Sequence, residues 1–159
     1  SSRFGKHNAI CVGYSEIDRR AIEIYRKHYP EHRNYGDITL IDWATVPDFD
    51  LLVGGTPCQS WSIAGKRKGF EDFMGTLWFE CFKALQIKQP KFFLFENVEG
   101  LLSLDGGKAM ERICEAFCEV GYAIDFELLN SKNFGVPQNR SRVFIIGIRL
   151  DLLDEAQIF

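Results

Sequence analysis

The chain has 159 residues, 46% of them hydrophobic and 26% charged, with 19 Lys and Arg set against 22 Asp and Glu for a formal net charge of −3. That length suits one domain around a single core, and the ordinary apolar fraction excludes a disordered or collagen-like chain. No apolar run approaches the roughly 20 residues a membrane-spanning helix needs and no signal-peptide pattern is present, so no membrane partner is expected. Mild acidity argues against a strongly basic nucleic-acid-binding module, because affinity for phosphates comes mostly from Lys and Arg. Basic clusters nonetheless survive the averaging at Lys66-Arg67-Lys68 and at Arg140 and Arg142. The five cysteines (Cys11, Cys58, Cys81, Cys114 and Cys118) are odd in number and lack C-x-x-C spacing. They suggest neither a disulfide framework nor a metal site, and a reducing cytoplasm fits them best.

In chain order, Ala9–Tyr14 reads as a strand. Asp18 is placed to cap a helix through Ala21, Ile22, Ile24 and Tyr25, with Arg26, Lys27 and His28 in its last turn and Pro30 beyond it. Asp50–Val53 forms the next strand. Thr76–Gln89 carries Leu77, Phe79, Phe82, Leu85 and Ile87 near helical spacing until Pro90 stops it, an aromatic stripe that belongs to a core. Lys91–Phe95 is nearly continuous apolar sequence, expected for a strand buried on both faces, and it ends at Glu96-Asn97. Gly106 and Gly107 precede a helix through Met110, Ile113, Phe117 and Val120 that Gly121 terminates. Cys114 and Cys118 are expected to pack in the core on this helix. Two strands follow, about Ala123–Asn130 and Arg142–Arg149, joined by a loop with Gly135, Pro137 and Asn139 as turn residues. Short apolar segments alternating with helices indicate an α/β fold, mostly parallel, with an antiparallel C-terminal hairpin.

The segment Gly54-Gly55-Thr56-Pro57-Cys58-Gln59-Ser60 puts a cysteine in a turn after a strand. Paired glycines allow a sharp turn and close approach of a second molecule, and Pro57 fixes the backbone just before the sulfur. In open α/β sheets ligands gather outside the carboxyl ends of strands, so Cys58 is a candidate nucleophile rather than a packed thiol. Glu96 ends another strand, where it could act as an acid on the same ligand or, with Asn97, merely cap a turn. In Gln138-Asn139-Arg140-Ser141-Arg142 the two arginines are expected to leave the chain on opposite sides, one facing the site and the other anchoring. Glu16, in Ser15-Glu16-Ile17-Asp18, is placed to accept hydrogen bonds from ribose hydroxyls, and Asp37 to receive an exocyclic amine, although Gly-Asp is as often only a turn. No G-x-G-x-x-G follows a strand, which disfavours a nicotinamide-dependent oxidoreductase.

Taken in order, Gly-Thr-Pro-Cys-Gln-Ser-Trp-Ser, then Glu-Asn-Val, then Gln-Asn-Arg-Ser-Arg resembles the DNA cytosine-5 methyltransferases over almost the whole chain. The resemblance implies a Rossmann-like methyltransferase fold and S-adenosyl-L-methionine (S-adenosylmethionine) as methyl donor. It also implies double-stranded DNA as partner, with the target cytosine flipped out of the stack. By the same resemblance Cys58 attacks C6 of cytosine, Glu96 contacts N3 and the exocyclic amine, and Arg142 contacts O2, while Arg140 lies nearer the phosphate backbone. Glu16, Ile17, Asp37, Ile38, Pro57 and Leu77 fall to the cofactor, and Gln59, Ser62, Asn97, Lys66, Arg67 and Lys68 to the substrate or DNA. The chain departs from the pattern at both ends. It begins Ser1-Ser2-Arg3-Phe4-Gly5-Lys6 without the family's glycine-rich cofactor turn, and it reaches Phe159 before a target-recognition region. It is therefore expected to be a catalytic core that relies on further segments or a complementary subunit, in a restriction-modification setting. The alternatives are a tRNA cytosine-5 methyltransferase and a non-catalytic DNA- or cofactor-binding scaffold.

Overall fold

The computed structural model describes residues 9–55 and 70–153, the side chains of 70–76 excepted. Two compact units divide at residue 47. In the first, helix α1 (Arg19–His28) begins at Asp18, whose carboxylate accepts the Ala21 N–H, and ends with three basic residues against the negative end of the helix dipole. The expected strand at Ala9–Tyr14 is not formed: Tyr14 makes one isolated parallel bridge to Asn34, and Ile10 is 86% exposed. An apolar run becomes a strand only where a neighbouring strand completes its hydrogen bonds, and no ladder extends along this one among the described residues. Asp37 and Asp42 each cap a single 3₁₀ turn, at Ile38–Leu40 and Trp43–Thr45.

The second unit is a four-stranded sheet in the order β1-β2-β4-β3, with β1 Leu51–Gly55, β2 Phe92–Val98, β3 Tyr122–Asn130 and β4 Ser141–Arg149. β1 and β2 run parallel, joined through helix α2 (Phe70–Lys88), while β4 lies antiparallel between β2 and β3. The α/β class and the C-terminal hairpin thus match expectation, but one of the three pairings among the described strands is parallel and two are antiparallel. Because β4 runs against β2, its first residues stand beside the last residues of β2: Val98 pairs with Arg142 and Glu96 with Phe144. That pairing is also why β2 does not stop before Glu96-Asn97 as its composition suggests. The partner strand carries the ladder two residues beyond Glu96.

Alternation along β2 and β4 sends Phe93, Phe95, Asn97, Val143, Ile145 and Gly147 to one buried face. Helix α3 (Lys108–Glu119) lays Ala109, Met110, Ile113, Ala116 and Phe117 on its buried stripe, the spacing of an amphipathic helix. The core between is largely aromatic. The Phe93 and Phe117 rings lie 4.6 Å apart, Phe93 and Phe95 stack at 4.8 Å, and Trp78 of α2 meets Phe95 edge-on at 5.8 Å. Tyr122 closes the cluster and donates its hydroxyl to the Pro90 carbonyl at 2.7 Å. Cys114 and Cys118 are not core residues as expected. Cys118 is exposed and Cys114 half-buried, since positions 114 and 118 fall beside the Ile113–Phe117 stripe rather than on it.

Candidate active site

The polarity of the strands makes the site. Parallel β1 and β2 end on one edge of the sheet, and antiparallel β4 begins there, so Gly55, Glu96 and Arg142 meet at a single edge. Gly55 is paired with Glu96, and a Cβ built on Gly55 would lie 3.4 Å from Glu96 Oε2. A bare glycine at the end of β1 therefore leaves that side of the carboxylate open. On the other side Arg142 Nε donates to Glu96 Oε1 at 2.8 Å, and Arg140 Nη2 stands 3.7 Å from the same oxygen. The side chains are partly exposed, 34% for Glu96 and 23% for Arg142, so the pair is reachable from solvent.

The arginines do not part as expected. Residues two apart along an extended chain share a face, and both guanidinium groups arrive at Glu96. Glu96 is no turn cap. Its neighbour Asn97 is the buried one, with its side-chain oxygen accepting the Val98 N–H at 2.8 Å. A cleft of about 450 Å³ is lined by Val98, Glu99, Gly100 and residues 138–142, the two arginines among them. Leu77, the cofactor candidate on α2, is half-buried. Cys58, Pro57, Gln59, Ser62, Lys66, Arg67 and Lys68 lie outside the described residues.

In the first unit the cofactor candidates Glu16 and Asp37 are brought together. Ser15 Oγ donates to the Gly36 carbonyl at 2.7 Å, tying the residue before Glu16 to the residue before Asp37. Asn34 adds a second tie, accepting the N–H groups of Glu16 (3.2 Å) and Gly36 (2.9 Å) and donating to the Glu16 carbonyl (3.0 Å). Sequence reasoning missed Asn34, whose only signal was an amide residue two before the Gly-Asp turn. Glu16 Oε1 accepts the Ile17 and Asp18 N–H groups at 2.8 Å. Asp37 Oδ1 accepts the Thr39 N–H at 2.9 Å and hydroxyl at 2.7 Å, bonds that hold its carboxyl below the usual carboxylate range. Each carboxylate has about four acceptor positions, of which these bonds use two. Both can accept further donors. Ile17 is 69% exposed and Ile38 half-buried.

Residues 2–158 match the family profile described as C-5 cytosine-specific DNA methylase. The chain belongs to that family. It is 57% identical over 144 residues to the orphan methyltransferase M.SPRI of Bacillus phage SPR, covering 89% of this chain and 33% of that protein. It is 49% identical over 148 residues to the type II methyltransferase M.HgiBI of Herpetosiphon aurantiacus, covering 90% and 33%. This cytosine-5 methylase chain thus spans about a third of the length of these curated relatives. Among solved structures it resembles a putative DNA modification methyltransferase encoded within an E. coli prophage, with a TM-score of 0.69, 25% identity and coverage of 89% and 41%. The Spodoptera frugiperda DNMT2 structure, at TM-score 0.74 and 19% identity over 94% of this chain and 45% of that one, shares the fold. Among the described residues no helix is long and apolar enough to cross a membrane.

Proposed function

We propose that the protein carrying this chain methylates C5 of cytosine in duplex DNA. The observation that carries the reading is Glu96, held by Arg142 and Arg140 on the edge where β1 ends, beside the glycine that leads to Cys58. Cys58 follows Gly55 by three residues, a tether of at most about 11 Å, which keeps a nucleophile at 58 within reach of a ring seated at Glu96. The relatives named type II and orphan methyltransferases support a DNA-modification role, of which restriction-modification is one form.

The Cys58 thiolate adds to C6 of a cytosine drawn out of the stack, and the ring electrons move toward C5. Glu96, facing N3 and the exocyclic amine, favours the protonated ring that accepts this charge, and Arg142 supports it from the O2 side. S-adenosylmethionine, when bound, supplies the methyl group that C5 takes. Loss of the C5 proton then expels Cys58, restoring the thiolate and the aromatic ring. The acceptor-rich pair Glu16 and Asp37 fits the cofactor's ribose hydroxyls and adenine amine, with Ile17 and Ile38 as apolar neighbours; the family resemblance alone assigns Pro57 and Leu77 to the cofactor. The family resemblance alone assigns Gln59 and Ser62 to the substrate and Lys66, Arg67 and Lys68 to the DNA backbone; Asn97, which it also gives to the substrate, is buried on the face away from Glu96.

The decisive experiment incubates the full-length protein with S-adenosylmethionine and duplexes containing 5-fluorocytosine, whose C5 fluorine cannot leave as a proton does. The expected result is a covalent protein–DNA adduct that Cys58→Ser abolishes. An adduct on tRNA but not on DNA would overturn the substrate, and none on either would leave a binding scaffold.

A further inference from the structure

Asn130 and Ser141 form the last rung of the β3–β4 ladder, where the loop 131–140 leaves and returns. Asn130 Oδ1 accepts the Lys132 N–H at 3.1 Å. A backbone nitrogen can only donate, so this bond decides which way the amide points. Nδ2 therefore faces the returning strand, donating to Asn139 Oδ1 at 2.8 Å and to Ser141 Oγ at 3.0 Å. Those two acceptors flank Arg140. Ser131 grips the same stretch, its N–H bonding the Arg140 carbonyl at 3.1 Å and its hydroxyl the Gln138 carbonyl at 2.6 Å. From Ser141 the path continues: its carbonyl accepts Arg142 Nη1 at 2.7 Å, and Arg142 Nε reaches Glu96 at 2.8 Å.

We propose that Asn130 is a positioning residue that aims Arg142 and Arg140 at Glu96 by pinning the backbone from which both arginines spring. Its consequence for catalysis rests on the methyl-transfer reading above; the geometric claim does not. One side chain must supply two donors toward residues 139 and 141 and one acceptor toward residue 132, a set that an amide provides and a carboxylate, hydroxyl or alkyl group does not. The loop is otherwise exposed from Lys132 to Arg140, so little packing substitutes for these bonds.

The test reads geometry and rate separately. In the ¹⁵N-labelled full-length protein, the Arg142 Nε–H resonance, identified by its loss in Arg142→Lys, is expected to be protected from solvent exchange by its bond to Glu96. Asn130→Ala and Asn130→Asp, the latter keeping shape and acceptor but no donor, are expected to lose that protection. They should also lower kcat for duplex methylation by about 10- to 100-fold, the scale of a misplacement near 1 Å, with KM for S-adenosylmethionine unchanged. Ser141→Ala removes one acceptor only and decides the matter by the same readouts if the Asn130 variants fail to fold; it should reduce both partially. Retained protection and kcat in the folded variants would overturn the proposal. A wild-type protein with a protected resonance and no methylation would sink the proposed function and leave the positioning role standing.

Discussion

A carboxylate shared by two guanidinium groups is chemically constrained, and Glu96 shows why a single atom change there should matter. Arg142 takes Oε1 at 2.8 Å while Oε2 faces Gly55, so the two oxygens have different tasks. Glu96→Gln preserves shape but removes the charge that gathers both arginines and replaces one acceptor oxygen by a donor, which under the proposed function weakens the contact to a protonated N3. Methyl transfer is expected to fall by about 100-fold or more with duplex binding retained, checked by initial rates beside a gel-shift titration; unchanged rates would remove Glu96 from the chemistry. The residue identities at this site were legible through the ordered family motifs, since local pattern alone left Glu96 as either an acid or a turn cap and gave one arginine to the site. Their pairing was not. That Arg140 and Arg142 share a face follows from the two-residue period of an extended chain, whereas the meeting of that face with Glu96 depends on the antiparallel neighbour, a long-range fact that no local pattern encodes.

Element boundaries followed the same logic. Helix α1 was readable because Asp18, the basic last turn and Pro30 act within a few residues of the helix, whereas Ala9–Tyr14 looked like a strand and has, among the described residues, one isolated bridge in place of a ladder. β4 contains a position that composition alone would pass over. Gly147 pairs with Phe93, and a Cβ on Gly147 would collide with the Phe93 ring, which is 1% exposed and wedged among Phe95, Phe117 and Tyr122. Any movement of the ring away from that Cβ is opposed by the rings packed around it. Gly147→Ala should therefore destabilise the protein by about 1–3 kcal/mol, the usual cost of overpacking. In a Gly147→Ala, Phe93→Leu double variant the two losses should be less than additive, because the smaller side chain removes the collision. Urea denaturation of the two single variants and the double one measures the coupling, and strict additivity would contradict the clash.

For the whole molecule, the aromatic core carries two ionisable groups that must stay neutral to remain where they are. Burial lifts the Cys81 thiol from its ordinary 9.0 to about 12, and burial likewise lifts the Tyr122 hydroxyl from 10.0 to about 12. In the unfolded chain both would release their protons near their ordinary values. Between about pH 9 and pH 12 the native state therefore holds protons that the unfolded state has lost, and stability must decline as pH rises through that window. Each group contributes a slope of at most roughly 1.4 kcal/mol per pH unit. The informative quantity is a difference: Cys81→Ala should flatten the fall in the urea midpoint between pH 9 and pH 11 relative to the unsubstituted protein, whatever it does to stability at pH 8. Parallel pH profiles for the two proteins would mean that Cys81 ionises equally in both states, which requires a route for water into the space beneath α2 that its 6% exposure does not provide.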